Sequence, residues 1–274
     1  MVFVKAVKKQ HKLRMGLFAP SGAGKTFTSL KLAKAFGPKI ACIDTENESS
    51  SKYIGAPGIP DYDIASMTYG GNAGQYVATL IDHIESAQDE YDCLIVDSLT
   101  HAWEATKDEV DAAAKRMRTP NSFAAWKEGT TLWGRLLRAI VMCRTNIICC
   151  ARSKTSYEQS ENNGKKQVKK VGMAPELRDG MEYEFDIVGE MDVDHNLIIT
   201  KSRCHLVDNN VTKCPDEKWM LPVINWLSSG VVDHDAEKKR LYAMLGEDER
   251  IGIVDKCTGK TTEEQIAIMQ EVLK

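Results

Sequence analysis

The sequence predicts an α/β fold, a mostly parallel central sheet flanked by helices, followed by a C-terminal β-hairpin and a small helical tail. Three observations predict it. The stretches 39–44 (KIACID), 91–97 (YDCLIVD) and 146–151 (NIICCA) are continuous apolar runs, as strands buried on both faces of a parallel sheet require. Between them lie segments whose apolar residues recur at helical spacing. Strand and helix patterns alternate, and that alternation builds right-handed parallel units.

In chain order, 14–18 reads as a short strand entering a Gly-rich turn, and a helix is expected from Lys25 to Phe36, stopped by Gly37-Pro38. Strand 39–44 is followed by a polar, Gly- and Pro-rich loop over 45–60 and a short strand over 62–67. Tyr76, Leu80, Ile81 and Ile84 make one side of a helix over 74–88 apolar. After strand 91–97, residues 101–118 read as a helix ended at Pro120. Asn121 or Ser122 can cap the next helix, along which Phe123, Trp126, Trp133, Leu137 and Ile140 keep a helical spacing. Strand 146–151 leads into 153–172, which is polar, Lys-rich and Gly-containing and reads as a long mobile loop of functional kind. A short helix is expected over 175–181, and the alternating stretches 185–191 and 197–203 form a hairpin around Asp194-His195-Asn196. The chain thus divides into a basic arm (1–13), a core (14–214) and a mostly helical region (215–274).

Composition narrows the function classes. A chain of 274 residues, 43% hydrophobic and 27% charged, is that of a soluble globular protein. It has no run near the roughly 20 apolar residues of a membrane helix, and its N-terminus lacks the apolar stretch of a secretory signal. A cytoplasmic location is expected. Among the eight cysteines, Cys42, Cys93, Cys149 and Cys150 fall inside the strand runs and read as small core hydrophobes. No C-x-x-C pair occurs, and Cys204-His205 with Cys214 is the nearest thing to a ligand cluster, so a zinc site is not expected. A net charge of −3 means that nucleic-acid contacts must come from local patches. One is Lys5, Lys8, Lys9, Lys12 and Arg14. The other is Arg152, Lys154, Lys165, Lys166, Lys169 and Lys170, opposed only by Glu158 and Glu161.

The chemistry concentrates in Ala19-Pro20-Ser21-Gly22-Ala23-Gly24-Lys25-Thr26, a phosphate-binding loop with Ala in place of the first Gly. Its glycines let main-chain N–H groups of Ser21, Gly22, Ala23, Gly24, Lys25, Thr26 and Phe27 converge on phosphate oxygens at a helix N-terminus. Lys25 can reach the β- and γ-phosphates of ATP, and the Thr26 hydroxyl can ligate Mg²⁺. Asp97, at the tip of an apolar strand, is the expected carboxylate partner of the metal, the alternative being a cap on the helix after Ser98. Hydrolysis needs a group to orient water. Glu46 is the candidate, expected on a strand beside that of the phosphate loop, with Glu48 its rival.

Taken together, APSGAGKT, ACIDTE, LIVDS and NIICCARSK resemble the RecA-type recombinase core, and more closely the short phage-encoded RecA-like ATPases of single-strand annealing and recombination, over residues 12–205. The resemblance implies a catalytic Glu46, an adenine-stacking Tyr53, and a γ-phosphate sensor at Arg152 or Ser153, although the family's Gln is missing there. It also implies that Lys201 and Arg203 enter a neighbouring subunit's ATP site, where added positive charge would stabilise the transferring phosphoryl group. Without the resemblance, both would read as one solvated strand face.

By the same resemblance, single-stranded DNA lies on two loops. The second is 153–175, with Lys154, Lys165, Lys166, Lys169 and Lys170 on phosphates and Tyr157 stacking on a base; the first is near 109–118, with Lys115, Arg116 and Arg118. The function implied is an ATP-dependent, DNA-stimulated recombinase or annealing protein. It would work as a homo-oligomer, ring or filament, with a single-stranded-DNA-binding protein as a possible helper and no membrane. A P-loop kinase or transferase acting on a small substrate, and a DNA-binding module with vestigial hydrolysis, are the alternatives.

Overall fold

The computed structural model describes residues 3, 5–117, 122–162 and 165–273, with the backbone alone at 122, 155–162, 165–173, 235, 236 and 240. The chain forms two compact units, Lys12–Trp226 and Met1–His11 with Leu227–Lys274.

The larger unit is built on one sheet. Its strands are β1 (Arg14–Ala19), β2 (Ile40–Asp44), β3 (Asp63–Ser66), β4 (Cys93–Asp97), β5 (Asn146–Asn162), β6 (Lys165–Pro175), β7 (Ile187–Met191), β8 (Asn196–Ser202) and β9 (Val211–Lys213). They run in the order β3-β2-β4-β5-β1-β7-β8-β9, with β6 paired to β5 alone. From β3 to β7 all pairings are parallel; β8, β9 and β6 are antiparallel additions. This is the mostly parallel sheet, flanked by helices, that the sequence predicts.

The two-residue period of the strands sorts the core. Leu94, Val96, Ile147, Cys149, Phe18 and Val188 face helices α2 (Ala73–Ser86), α3 (Leu99–Arg116) and α4 (Ser122–Val141). The residues alternating with these, among them Cys93, Ile95, Ile148 and Cys150, are equally buried on the opposite face, as is Cys42 on β2, and there α1 (Lys25–Ala33) packs on β1, β4 and β5. Helices on both faces explain why these strands are apolar throughout rather than alternating. The four strand cysteines are buried and free, as their setting predicts.

Two parts project past the strand tips on the side of the phosphate loop. Helices α3 and α4 are antiparallel: Trp103 packs edge-on to Trp133 with ring centroids 5.2 Å apart, while further along Arg116 reaches Glu128 at 2.7 Å. Their distal halves share a small core of Val110, Ala113 and Ala125. Strand β5 is held by β1 and β4 only as far as Arg152, and from Ser153 onward it pairs with β6. Residues 153–162 and 165–172 are thus not loop, as the composition of 153–172 suggests, but two antiparallel strands. Backbone pairing within the segment does what side-chain burial does elsewhere. Nor is 109–116 a loop; α3 runs to Arg116. The expected helix over 175–181 is replaced by a 3₁₀ turn at Met181–Glu184 after β6 ends at Pro175. The hairpin at 185–203 is present as β7 and β8, and the three-residue β9 beside it carries no periodic signal.

In the second unit, α6 (His234–Met244), α7 (Glu247–Cys257) and α8 (Thr262–Val272) close around Leu241, Leu245, Ile253, Ile266 and Met269. The N-terminal basic segment is not a separate arm. Lys9 bridges to Val231 in parallel, the Lys9 ammonium pairs with Asp233 at 2.5 Å, and Lys8 bonds to Ser229. Gly230 permits this, since a Cβ there would stand 2.3 Å from the Lys9 carbonyl carbon. Helix α5 (Leu221–Ser228) crosses the boundary between the units, which falls at 226/227 rather than 214/215. Among the described residues no helix is long and apolar enough to cross a membrane.

Candidate functional site

The C-terminal tips of the parallel strands hold a cavity of about 760 Å³, lined by the phosphate loop, Phe27, Lys31, Glu46, Tyr53, Arg152, His195 and Cys214. Ligands of open α/β sheets gather at this edge.

The loop leaves β1 at Ala19 and enters α1 at Lys25. Gly22 and Gly24 stand at φ 82° and 84°, in the left-handed region that costs glycine little. Lys25 and Thr26 open the first turn of α1 and are nearly buried. Asp97 is fully buried on the sheet face beneath α1, two and four residues from Ile95 and Cys93 on the same side. Its two carboxylate oxygens accept hydrogen bonds from the Lys25 ammonium and the Thr26 hydroxyl. Burial alone would lower the Lys25 pKa, but the Asp97 carboxylate, then Cys150 and Glu46, outweigh it and raise the value, so the ammonium stays charged.

Asp44 stands beside Asp97 in the sheet register and is equally buried, yet its role differs. It accepts from the Glu46 N–H at 2.7 Å, the Ser50 N–H at 2.7 Å and the Ser50 hydroxyl at 2.5 Å. Those bonds shape the bend after β2, whereas the Asp97 carboxylate is turned to Lys25 and Thr26.

That bend also corrects the expected route of Glu46 to the site. Strand β2 is not beside β1, because β4 and β5 intervene. Glu46 arrives through the loop, with its carboxylate 3.8 Å from the Lys25 ammonium, 3.1 Å from the Arg152 Nε and 3.3 Å from the Ser98 hydroxyl. Glu48 is exposed and does not line the cavity. The 3₁₀ turn at Ser50–Tyr53 brings Tyr53 to the cavity wall edge-on to Phe27, with centroids 5.6 Å apart.

Arg152 reaches the site and Ser153 does not; Ser153 pairs with Pro175 at the root of the β5–β6 hairpin. Lys201 and Arg203 lie at the opposite end of the sheet, where Lys201 is in register with Val188. The Lys201 ammonium donates to the carbonyls of Glu182, Tyr183 and Phe185. Arg203 pairs with Asp186 at 2.8 Å. Neither can approach the phosphate loop of its own chain. Among the remaining basic residues, Lys115 is exposed, Lys154 stands 3.9 Å from Glu176, and Arg116 is held by both Glu109 and Glu128, so its charge is already matched. Arg118 lies outside the described residues, as do the side chains of Tyr157, Lys165, Lys166, Lys169 and Lys170.

The sequence reading missed His195, Cys214 and Pro215, which wall the cavity from the β7–β8 turn and the segment after β9. Only Asp194-His195-Asn196, read as a turn, offered any signal.

A buried carboxylate joined to a lysine and a threonine hydroxyl beneath a glycine turn is the arrangement that holds a nucleoside triphosphate and its magnesium. The match to known families agrees. The chain belongs to the AAA domain family. The family's model, AAA_24, described as an AAA domain, matches residues 11–213, from the start of the larger unit through β9. This is therefore an AAA-type P-loop ATPase domain, a family that implies the use of ATP and usually of Mg²⁺. Comparison with curated proteins gave no match. Among solved structures the AAA domain is similar to an ATPase from the type III secretion system of pathogenic bacteria. The two share 16% identity and a TM-score of 0.38, over 96% of this chain and 82% of that one.

Proposed function

We propose that this AAA domain is an ATP-dependent, single-stranded-DNA-binding recombination or annealing protein of the phage type, which hydrolyses ATP at subunit interfaces of a ring or filament of identical chains. The observation that carries the reading is the contact between Glu46 and Arg152. Arg152 is the last residue of β5 held in the sheet, and the Lys-rich hairpin rises directly from it. Whatever binds the hairpin pulls on the residue that holds the catalytic carboxylate.

The residues divide the labour. Loop N–H groups and Lys25 hold the phosphates, and Thr26 and Asp97 hold the metal, which would neutralise charge on the β- and γ-phosphate oxygens. Glu46 orients a water molecule and accepts its proton. Tyr53 stacks on the base, and Arg152 senses the γ-phosphate. Lys154 and the hairpin lysines match DNA phosphates, with Lys115 on the second projecting arm. Lys201 and Arg203 face a neighbour's site, and a single-stranded-DNA-binding protein acts as helper.

The test is ATP turnover with and without single-stranded DNA. Wild type is expected to turn over ATP faster with DNA, and the stimulation should fall steeply with salt. Lys25→Ala should be inactive in both conditions, and Glu46→Gln should bind ATP with turnover lowered about 10²–10⁴-fold. Turnover indifferent to DNA would remove the recombination reading; none in either condition would remove the enzyme.

A further inference from the structure

His195 occupies the tip of the β7–β8 turn with φ 62°, a left-handed conformation. The turn is tightly determined. Asp192 accepts from the N–H groups of Asp194 and Asn196, each at 2.9 Å, and from the Asn196 side-chain amide at 2.8 Å. The His195 carbonyl accepts from the Cys214 N–H at 2.9 Å, tying the segment after β9 to the same point. The imidazole lands on the phosphate loop, with Nδ1 3.0 Å from the Ala23 carbonyl oxygen. A carbonyl can only accept, so the proton sits on Nδ1. The ring also lies against Gly24, where an added Cβ would stand 3.2 Å from Nδ1.

We infer that His195 is a positioning residue for the phosphate loop, clamping the Ala23–Gly24 peptide from outside so that its amides are already aimed when triphosphate arrives. Ala23 and Gly24 stand just before Lys25 and Thr26, so a rotation at this peptide would misdirect the N–H groups that must meet phosphate oxygens. Within the loop itself, the only hydrogen bond on the Ala23 N–H is a long one to Pro20 at 3.4 Å. The clamp therefore comes from a hairpin 172 residues downstream. The inference rests on the nucleotide reading above and adds to it the residue that preorganises the site.

The geometry of the donor supplies the test. Asparagine places its amide nitrogen where Nδ1 lies and tolerates the left-handed backbone; glutamine places its nitrogen one atom further out; alanine has no donor. MgATP affinity is measured by calorimetry on the full chain, beside thermal unfolding without nucleotide. His195→Ala and His195→Gln are expected to weaken binding about three- to tenfold, the worth of one hydrogen bond, while His195→Asn stays within about twofold of wild type. A residue that merely supports the hairpin would lower the melting temperature and the active fraction but leave the Kd of the folded protein unchanged in all three. That result, or equal Kd for Asn and Gln, overturns the clamp. A ¹⁵N spectrum of the nucleotide-free protein showing the proton on Nε2 overturns it independently. Failure of wild type to bind MgATP would sink the nucleotide reading and the clamp with it.

Discussion

Asp44 and Asp97 are two buried aspartates in register on adjacent strands, yet their surroundings differ. Three donors from the bend after β2 satisfy Asp44, while Asp97 meets only Lys25 and Thr26, groups that nucleotide also engages. The same attention to surroundings applies to Glu190, at the tip end of β7. Desolvation raises its pKa above the ordinary 4.5. A carboxyl whose folded-state pKa is raised supports folding while protonated, at low pH, and that support is lost as pH rises through the raised value. At pH 7 the charged form opposes folding. Glu190→Gln is therefore expected to raise the melting temperature by about 1–2 °C at pH 7, and the gain should vanish as pH is lowered to about 4. Calorimetric scans across that range check it; a constant gain at every pH would assign the effect to packing instead.

At the scale of elements, the two projecting arms depend on different forces. The β5–β6 hairpin is held by its ladder, whose register shifts between Ser156 and Tyr157. The α3–α4 arm depends on close helix packing, for which Gly129 is the contact point. A Cβ there would meet Val110 Cγ2 at 2.4 Å. Gly129→Ala should destabilise the domain by about 1–3 kcal/mol through overpacking, despite alanine's better helix propensity. In a Val110→Ala background the penalty should shrink. Chemical denaturation of the four proteins in that cycle measures it, and an unchanged penalty would mean that the arm does not pack through this pair.

Across the whole molecule, the phosphate loop lies at one end of the sheet and Lys201 with Arg203 at the other. A trans role then demands a head-to-tail arrangement, the kind of contact that generates rings or filaments. Lys201 is engaged by three carbonyls, whereas Arg203 is half exposed, so Arg203 is the residue with reach. If it serves a neighbour, Lys25→Ala and Arg203→Ala chains, each inactive alone, should regain activity when mixed, roughly a quarter of wild type from the interfaces that unite two intact groups. A mixture as inactive as its parents would confine Arg203 to its pair with Asp186.

What could be read from the chain and what could not divide along a physical line. The sequence by itself determined the sheet, its covering helices, the phosphate loop and Asp97, because burial on two faces imposes continuous apolar runs and because glycine, lysine and threonine must be adjacent to cradle phosphate. Glu46 does line the cavity, but its path there across two strands was not legible. Only the tertiary structure decided that the Lys-rich segment is a hairpin, that Arg116 is already paired, that the basic N-terminal residues fold back on the C-terminal unit, and that His195 closes on the phosphate loop. Each of these rests on particular contacts made by backbone or by a single side chain, the last two between groups far apart in sequence, and such contacts leave no period or composition in the chain to be read.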